Sequence, residues 1–181
     1  RIRGWSAGLA SAVLIGWLSF AFLAKAAPPE VERLAGDGKY IVDKHLRWER
    51  YSEARLQELQ AQGKTVMLDF TAAWCTNCWV NKKVALDTEA TSRLLNRLDG
   101  VAMLADWTDQ NREIESKLKE LNSKAIPVLA IYPGNSPEKP IVLRDLVSQK
   151  SVLNALEKAG PSQEEATATA AIGEPDRSSI R

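Results

Sequence analysis

The stretch VMLDFTAAWCTNCWVNKKVAL, Val66 to Leu86, constrains the fold more than any other part of the chain. A short apolar run of strand type passes directly into two cysteines and then into a segment of helix type without glycine or proline. A strand ending where a helix begins puts Cys75 at the helix start, and Cys78 one turn along on the same face. No other cysteine occurs in the 181 residues. Two cysteines cannot build a disulfide scaffold, so the fold must stand on packing, which a 45% hydrophobic composition allows.

Three uses of the pair compete. A structural staple would close a loop of only four residues, Cys75 to Cys78, worth about 2 kcal/mol by loop-closure entropy. A closed zinc site needs two further ligands, and the single histidine, His45, lies 30 residues upstream of Cys75. Copper(I) could be satisfied by the two sulfurs alone. A redox couple fits the position: unpaired N–H groups and the helix dipole favour a thiolate at Cys75, and Cys78 is placed to resolve a mixed disulfide.

Three neighbours are candidates for support. Asp69 sits inside the apolar strand, where burial of an acid is costly unless it has a use, such as exchanging a proton with Cys78. The plainer reading makes it an acid at a strand edge facing water. Trp74 either covers one side of the cysteine pair or is an ordinary core tryptophan. Lys82 and Lys83 read as solvated residues on the exposed side of the helix.

The remaining elements follow from periodicity and punctuation. SEARLQELQAQ reads as a helix with Ser52 as N-cap and Gly63 as its stop. Asp87 is expected to cap TEATSRLLNRL, which ends at Gly100. VAMLADW is a strand, Gln110 to Leu121 a helix, IPVLAIYP a strand opened by Pro127, and PIVLRDL a strand after the turn GNSPEK. SQKSVLNALEKA closes the folded part, ended by Gly160 and Pro161. Strand and helix alternation predicts parallel pairing early, and the short turn predicts an antiparallel hairpin at the end.

Upstream, Gly4 to Ala24 runs 21 residues without a charge. At about 1.5 Å per residue a helix of that length spans roughly 30 Å, a bilayer core. The length favours an anchor over a cleaved signal, although Ala24, Lys25 and Ala26 roughly fit a cleavage site. Arg1 and Arg3 balance Lys25 and Arg33, so charge does not set the orientation. The start at arginine suggests the C-terminal part of a longer protein. The expected organisation is a transmembrane helix at 1–25, a linker at 26–45, a folded domain at 46–160 and a disordered tail at 161–181. With 24 basic and 23 acidic residues, the chain lacks the footprint of a nucleic-acid binder.

VMLDFTAAWCTNCWVNKKVAL, LADWTDQNREIESKL and AIPVLAIYP, in this order and spacing, resemble the C-terminal thioredoxin-like domain of the DsbD family of bacterial membrane thiol:disulfide interchange proteins. The resemblance covers about Leu46 to Ala159, and the upstream apolar run is similar to the family's last transmembrane helix. It implies an α/β thioredoxin-like fold, a central mixed sheet flanked by helices, preceded by one transmembrane helix. It implies a protein-disulfide reductase in the periplasm, held at the bacterial inner membrane, that takes electrons from an upstream transmembrane redox domain and passes them to periplasmic thioredoxin-like or other disulfide-bearing proteins.

On that pattern Cys75 attacks, Cys78 resolves, Asp69 is the acid behind them, and Pro127 is a cis-proline beside the disulfide. No cofactor beyond the Cys75/Cys78 couple and no metal is implied. The chain departs from the pattern at Ala73, where many relatives carry an acid, and at Lys82, where some carry glutamate. Both changes remove negative charge near the thiols and are expected to ease thiolate formation. An oxidase or isomerase of the same fold, or a copper- or partner-binding module, are the alternatives.

Overall fold

The computed structural model describes residues 40–163. The expected transmembrane helix, the linker up to residue 39 and the tail from residue 164 lie outside the described residues. Within them the order is β1 (Tyr40–Val42), β2 (Arg47–Arg50), α1 (Glu53–Ala61), β3 (Val66–Thr71), α2 (Thr76–Asn81), a π turn (Lys82–Leu86), α3 (Glu89–Arg97), β4 (Val101–Asp106), α4 (Arg112–Glu120), β5 (Val128–Tyr132), β6 (Ile141–Arg144) and α5 (Gln149–Ala159). Among the described residues no helix is long and apolar enough to cross a membrane.

The six strands form one mixed sheet in the order β1-β2-β4-β3-β5-β6. β4 runs parallel to both β2 and β3, whereas β3 with β5 and β5 with β6 are antiparallel. Residues Val66 to Phe70 of β3 are buried throughout because this strand lies inside the sheet with helices over both faces. Successive side chains alternate between those faces. Val66, Leu68 and Phe70 pack with Leu56 and Leu59 of α1 and with Ile114 and Leu118 of α4. Met67 packs on the opposite side with Leu86, Leu94, Leu95 and Leu156, from the π turn, α3 and α5. Period two puts Asp69 on that second side, under the helix that carries the cysteines.

The punctuation expected from sequence holds at several ends. Ser52 caps α1 by accepting the Arg55 N–H, and Gly63 takes φ +67° just beyond it, a left-handed conformation that glycine adopts without a Cβ penalty. Ser148 caps α5. The α4 helix starts later than expected, because Asn111 caps it and Gln110 turns into the left-handed region.

Four local differences matter. The sheet starts at Tyr40, so the last residues of the segment read as linker are paired into it through β1 and β2. Asp87 is not the cap of α3: Thr88 is, accepting the Thr91 N–H. The Asp87 carboxylate instead accepts from the backbone N–H groups of Lys44, His45 and Leu46 at 3.2, 2.8 and 3.1 Å, fastening the β1–β2 turn. The segment expected as one continuous helix after Cys75 widens at its end, with the Asp87 N–H donating to the Lys82 carbonyl five residues back at 2.8 Å. Finally, Ser162, read as part of a disordered tail, is bound to the domain. Its N–H donates to the Leu98 carbonyl, and its hydroxyl accepts from the Thr65 N–H and donates to the Asp99 carbonyl.

Candidate active site

The site begins where β3 ends. Thr71 leaves the sheet, its carbonyl accepting the Trp107 N–H at 2.7 Å, and the chain turns so that the Cys75 N–H donates to the Ala72 carbonyl at 3.0 Å. Cys75 is then the N-cap residue of α2. Its sulfur accepts the Cys78 N–H at 3.2 Å, the place a serine or aspartate oxygen would take in an ordinary cap. That N–H and the positive end of the helix are the groups that negative charge on Cys75 would meet.

Cys75 and Cys78 form a disulfide with sulfurs 2.05 Å apart. Cys75 is 9% exposed and Cys78 2%, so Cys75 is the less enclosed of the two. The Cys78 sulfur lies 3.9 Å from the Phe70 carbonyl oxygen, an acceptor for its thiol hydrogen once reduced. Ile126 packs against Ala72, Cys75 and Cys78, and the Ile126–Pro127 peptide bond is cis. The resemblance implied that conformation, which spacing alone could not supply.

The loop before the cysteines is held from β4. The Asp106 carboxylate accepts from the Thr108 N–H and hydroxyl, and the Thr108 hydroxyl oxygen accepts the Ala73 N–H at 2.9 Å. Trp74 is 57% exposed, which rules out the core reading. Its ring is tilted against Trp107 with centroids 6.3 Å apart, and its indole N–H points to the Thr108 carbonyl at 3.4 Å. Asp106 and Thr108 carry no sequence signal, because their part depends on β4 pairing in register beside β3.

Asp69 is only 3% exposed, so the reading of an acid facing water is also excluded. Burial pushes its pKa up to about 7. Lys82 opposes that rise, and Asp43 adds to it. Lys82 is therefore not the solvated residue that helix periodicity suggested. Its side chain is 19% exposed and its ammonium lies 2.7 Å from the Asp43 carboxylate at the β1–β2 turn. Asp43 thereby brings a carboxylate from another element into the surroundings of Asp69. Lys83 is exposed, as expected, and lies over the Trp79 ring at 4.3 Å. Among the described residues no group of three or more His, Cys, Asp or Glu side chains could hold a metal ion.

A cysteine pair at the junction of a central strand and its following helix, with the residue before a cis-proline packed against it and a buried acid in that strand, defines a thioredoxin-like domain. A thioredoxin-like family model matches residues 47–134. A thiol:disulfide interchange protein DsbD from Yersinia enterocolitica is 32% identical over 144 residues, covering 73% of this chain and 25% of that protein. A DsbD from Campylobacter jejuni is 31% identical over 102 residues, covering 56% of this chain and 17% of its own length. The described residues are thus a thioredoxin-like domain of the DsbD family. The chain spans a quarter or less of the length of these relatives. The C-terminal domain of Neisseria meningitidis DsbD in its reduced form shares the fold, with a TM-score of 0.50 at 19% identity, covering 61% of this chain and 98% of that one.

Proposed function

We propose that this chain is a membrane-anchored thiol:disulfide oxidoreductase domain that relays electrons from an upstream membrane thiol pair to disulfide-bearing proteins in the periplasm. The observation that carries the reading is the unequal burial of two bonded cysteines at the start of α2. The uncharged run Gly4 to Ala24 supports the anchor, and the names of the DsbD relatives support the interchange chemistry.

The reaction follows from the geometry. With the couple reduced, the Cys75 thiolate attacks one sulfur of a partner disulfide, forming a mixed disulfide and releasing the partner's other sulfur as a thiolate. Cys78 loses its proton and attacks the Cys75 sulfur, which closes the Cys75–Cys78 bond and frees the partner's second thiolate. Two electrons pass to the partner, which takes up two protons. Asp69, buried on the side of β3 that faces the cysteine-bearing helix layer, is the acceptor we assign to the Cys78 proton. To Trp74, exposed and next to Cys75 in the chain, and to the cis-Pro127, which follows the Ile126 packed on the cysteines, we assign the surface a partner meets. No cofactor beyond the couple takes part.

Replacing Cys78 with alanine stops the reaction halfway. Cys78→Ala is expected to accumulate mixed disulfides through Cys75 with periplasmic proteins, seen as reductant-sensitive bands on non-reducing gels, and their mass spectra name the acceptors. Absence of Cys75-dependent adducts in periplasmic extract would overturn the relay. Equilibration with glutathione separates reductase from oxidase: a couple well above the potential of periplasmic reductases would reverse the proposed direction of flow.

A further inference from the structure

Asn81 is 4% exposed and lies one turn beyond Cys78 on the same helix. Its amide is engaged at both nitrogen and oxygen by a different part of the chain, the loop between β6 and α5. The Asn81 Nδ2 group donates to the Asp145 carbonyl at 2.8 Å, and Oδ1 accepts the Val147 N–H at 2.9 Å. These partners fix which way the amide points, because a carbonyl can only accept and a backbone N–H can only donate. The two gripped peptide groups flank one residue, Leu146. Val147 turns into the core at 9% exposure while Leu146 is held outward at 59%, among the most exposed large apolar side chains of the described residues. Asp145 takes φ +61°, uncommon for a residue other than glycine, and its N–H donates to the Pro127 carbonyl at 3.2 Å.

These contacts close a ring around the disulfide. Cys78 leads along its helix to Asn81, Asn81 grips Asp145, Asp145 holds Pro127, and Ile126 packs back on the two cysteines. We propose that Asn81 is a positioning residue for the partner polypeptide: it fixes the cis-proline segment against the disulfide and holds Leu146 out as an apolar contact for the residues flanking the partner's disulfide. This rests on the thiol:disulfide exchange proposed above. The partner it fits is a polypeptide with an apolar side chain near its disulfide, as opposed to a small disulfide that needs only the Cys75 sulfur.

The test compares two disulfides in single turnover with the pre-reduced 181-residue chain: insulin, a polypeptide, and 5,5′-dithiobis(2-nitrobenzoate), a small molecule. Leu146→Ser alters an exposed side chain and keeps the fold. Asn81→Asp keeps the acceptor for the Val147 N–H but sets an oxygen against the Asp145 carbonyl. For both variants the ratio of second-order rate constants, insulin over the small disulfide, is expected to fall about tenfold, the worth of burying part of one leucine. The loss should lie in the insulin concentration needed for half-saturation, with the limiting rate nearly kept. An unchanged ratio in Leu146→Ser overturns the inference, as does an equal loss towards both disulfides in Asn81→Asp. Wild-type chain that reduces neither disulfide overturns the exchange reading itself, and this inference with it.

Discussion

Asp69 is the residue where sequence and structure inform each other most closely. An aspartate in the middle of an apolar strand stands out in any reading, and its burial in β3 follows once the strand is interior to the sheet. Its surroundings were not legible, because they come from residues far apart in sequence: Lys82 from the π turn and Asp43 from the β1–β2 turn. Those two act on Asp69 in opposite directions, which gives opposed predictions. Lys82→Met removes a favourable charge and should raise the Asp69 pKa above its value of about 7, whereas Asp43→Asn removes a like charge and should lower it. Carboxyl carbon NMR shifts of Asp69, followed against pH in the oxidised protein, read both. At pH values below the midpoint, each unit of displacement changes the ionised fraction about tenfold. The resolving step should slow in Lys82→Met and quicken in Asp43→Asn. Midpoints that move the same way in both variants would refute the opposed roles. Trp74 shows the complementary limit: one sequence cannot tell a core tryptophan from an exposed one, and only the loop held by Thr108 decides it.

The helices and interior strands were legible because each carries its own signal: a cap, a glycine stop or an unbroken apolar run. The elements that escaped are those specified by their neighbours. In β2, RWER alternates too briefly to stand out, and its burial is concentrated in Trp48, which is fully enclosed. The π turn has no glycine or proline to mark it, and its wide hydrogen bond ends on the residue that also fastens the β1–β2 turn, Asp87. Asp87 thereby joins the edge of the sheet to the end of the cysteine-bearing segment. Asp87→Ala leaves three backbone N–H groups without their acceptor and should cost about 1–3 kcal/mol. Urea unfolding of the oxidised protein should show a lower midpoint with an unchanged slope. Amide exchange should accelerate at Lys44, His45 and Leu46 ahead of the rest of the domain. Uniform acceleration across the sheet would mean that Asp87 serves general stability and has no particular hold on this turn.

For the molecule as a whole, a buried acid whose proton is held so tightly makes stability depend on pH with a definite sign. The folded protein keeps the Asp69 proton up to about pH 7, whereas the unfolded chain releases it near the ordinary aspartate value of 3.8. Between those two values the folded state binds more protons than the unfolded one. The stability gained from the neutral form is therefore present in full below about pH 4 and lost as the pH rises to about 7. The slope approaches about 1.4 kcal/mol per pH unit within the window. Glu53 works in the opposite direction: burial pushes its pKa up, but hydrogen bonds from Tyr51, Lys117 and Gln57 to its carboxylate together outweigh that and hold it below the usual value. Wild-type stability alone would mix the two effects. The difference between wild type and Asp69→Asn isolates one, because Glu53 is common to both and asparagine does not titrate. With the disulfide closed, so that no thiol titrates, denaturant unfolding from pH 4 to 8 should show the variant gaining on the wild type through the window and holding a constant lead above it. Parallel curves would mean that Asp69 ionises in the fold as easily as in the unfolded chain. A carboxyl group that destabilises the neutral-pH fold while sitting on the cysteine side of the sheet is what a proton acceptor for Cys78 requires: it must be ready to take a proton near pH 7, and burial costly to stability is how the fold sets that value.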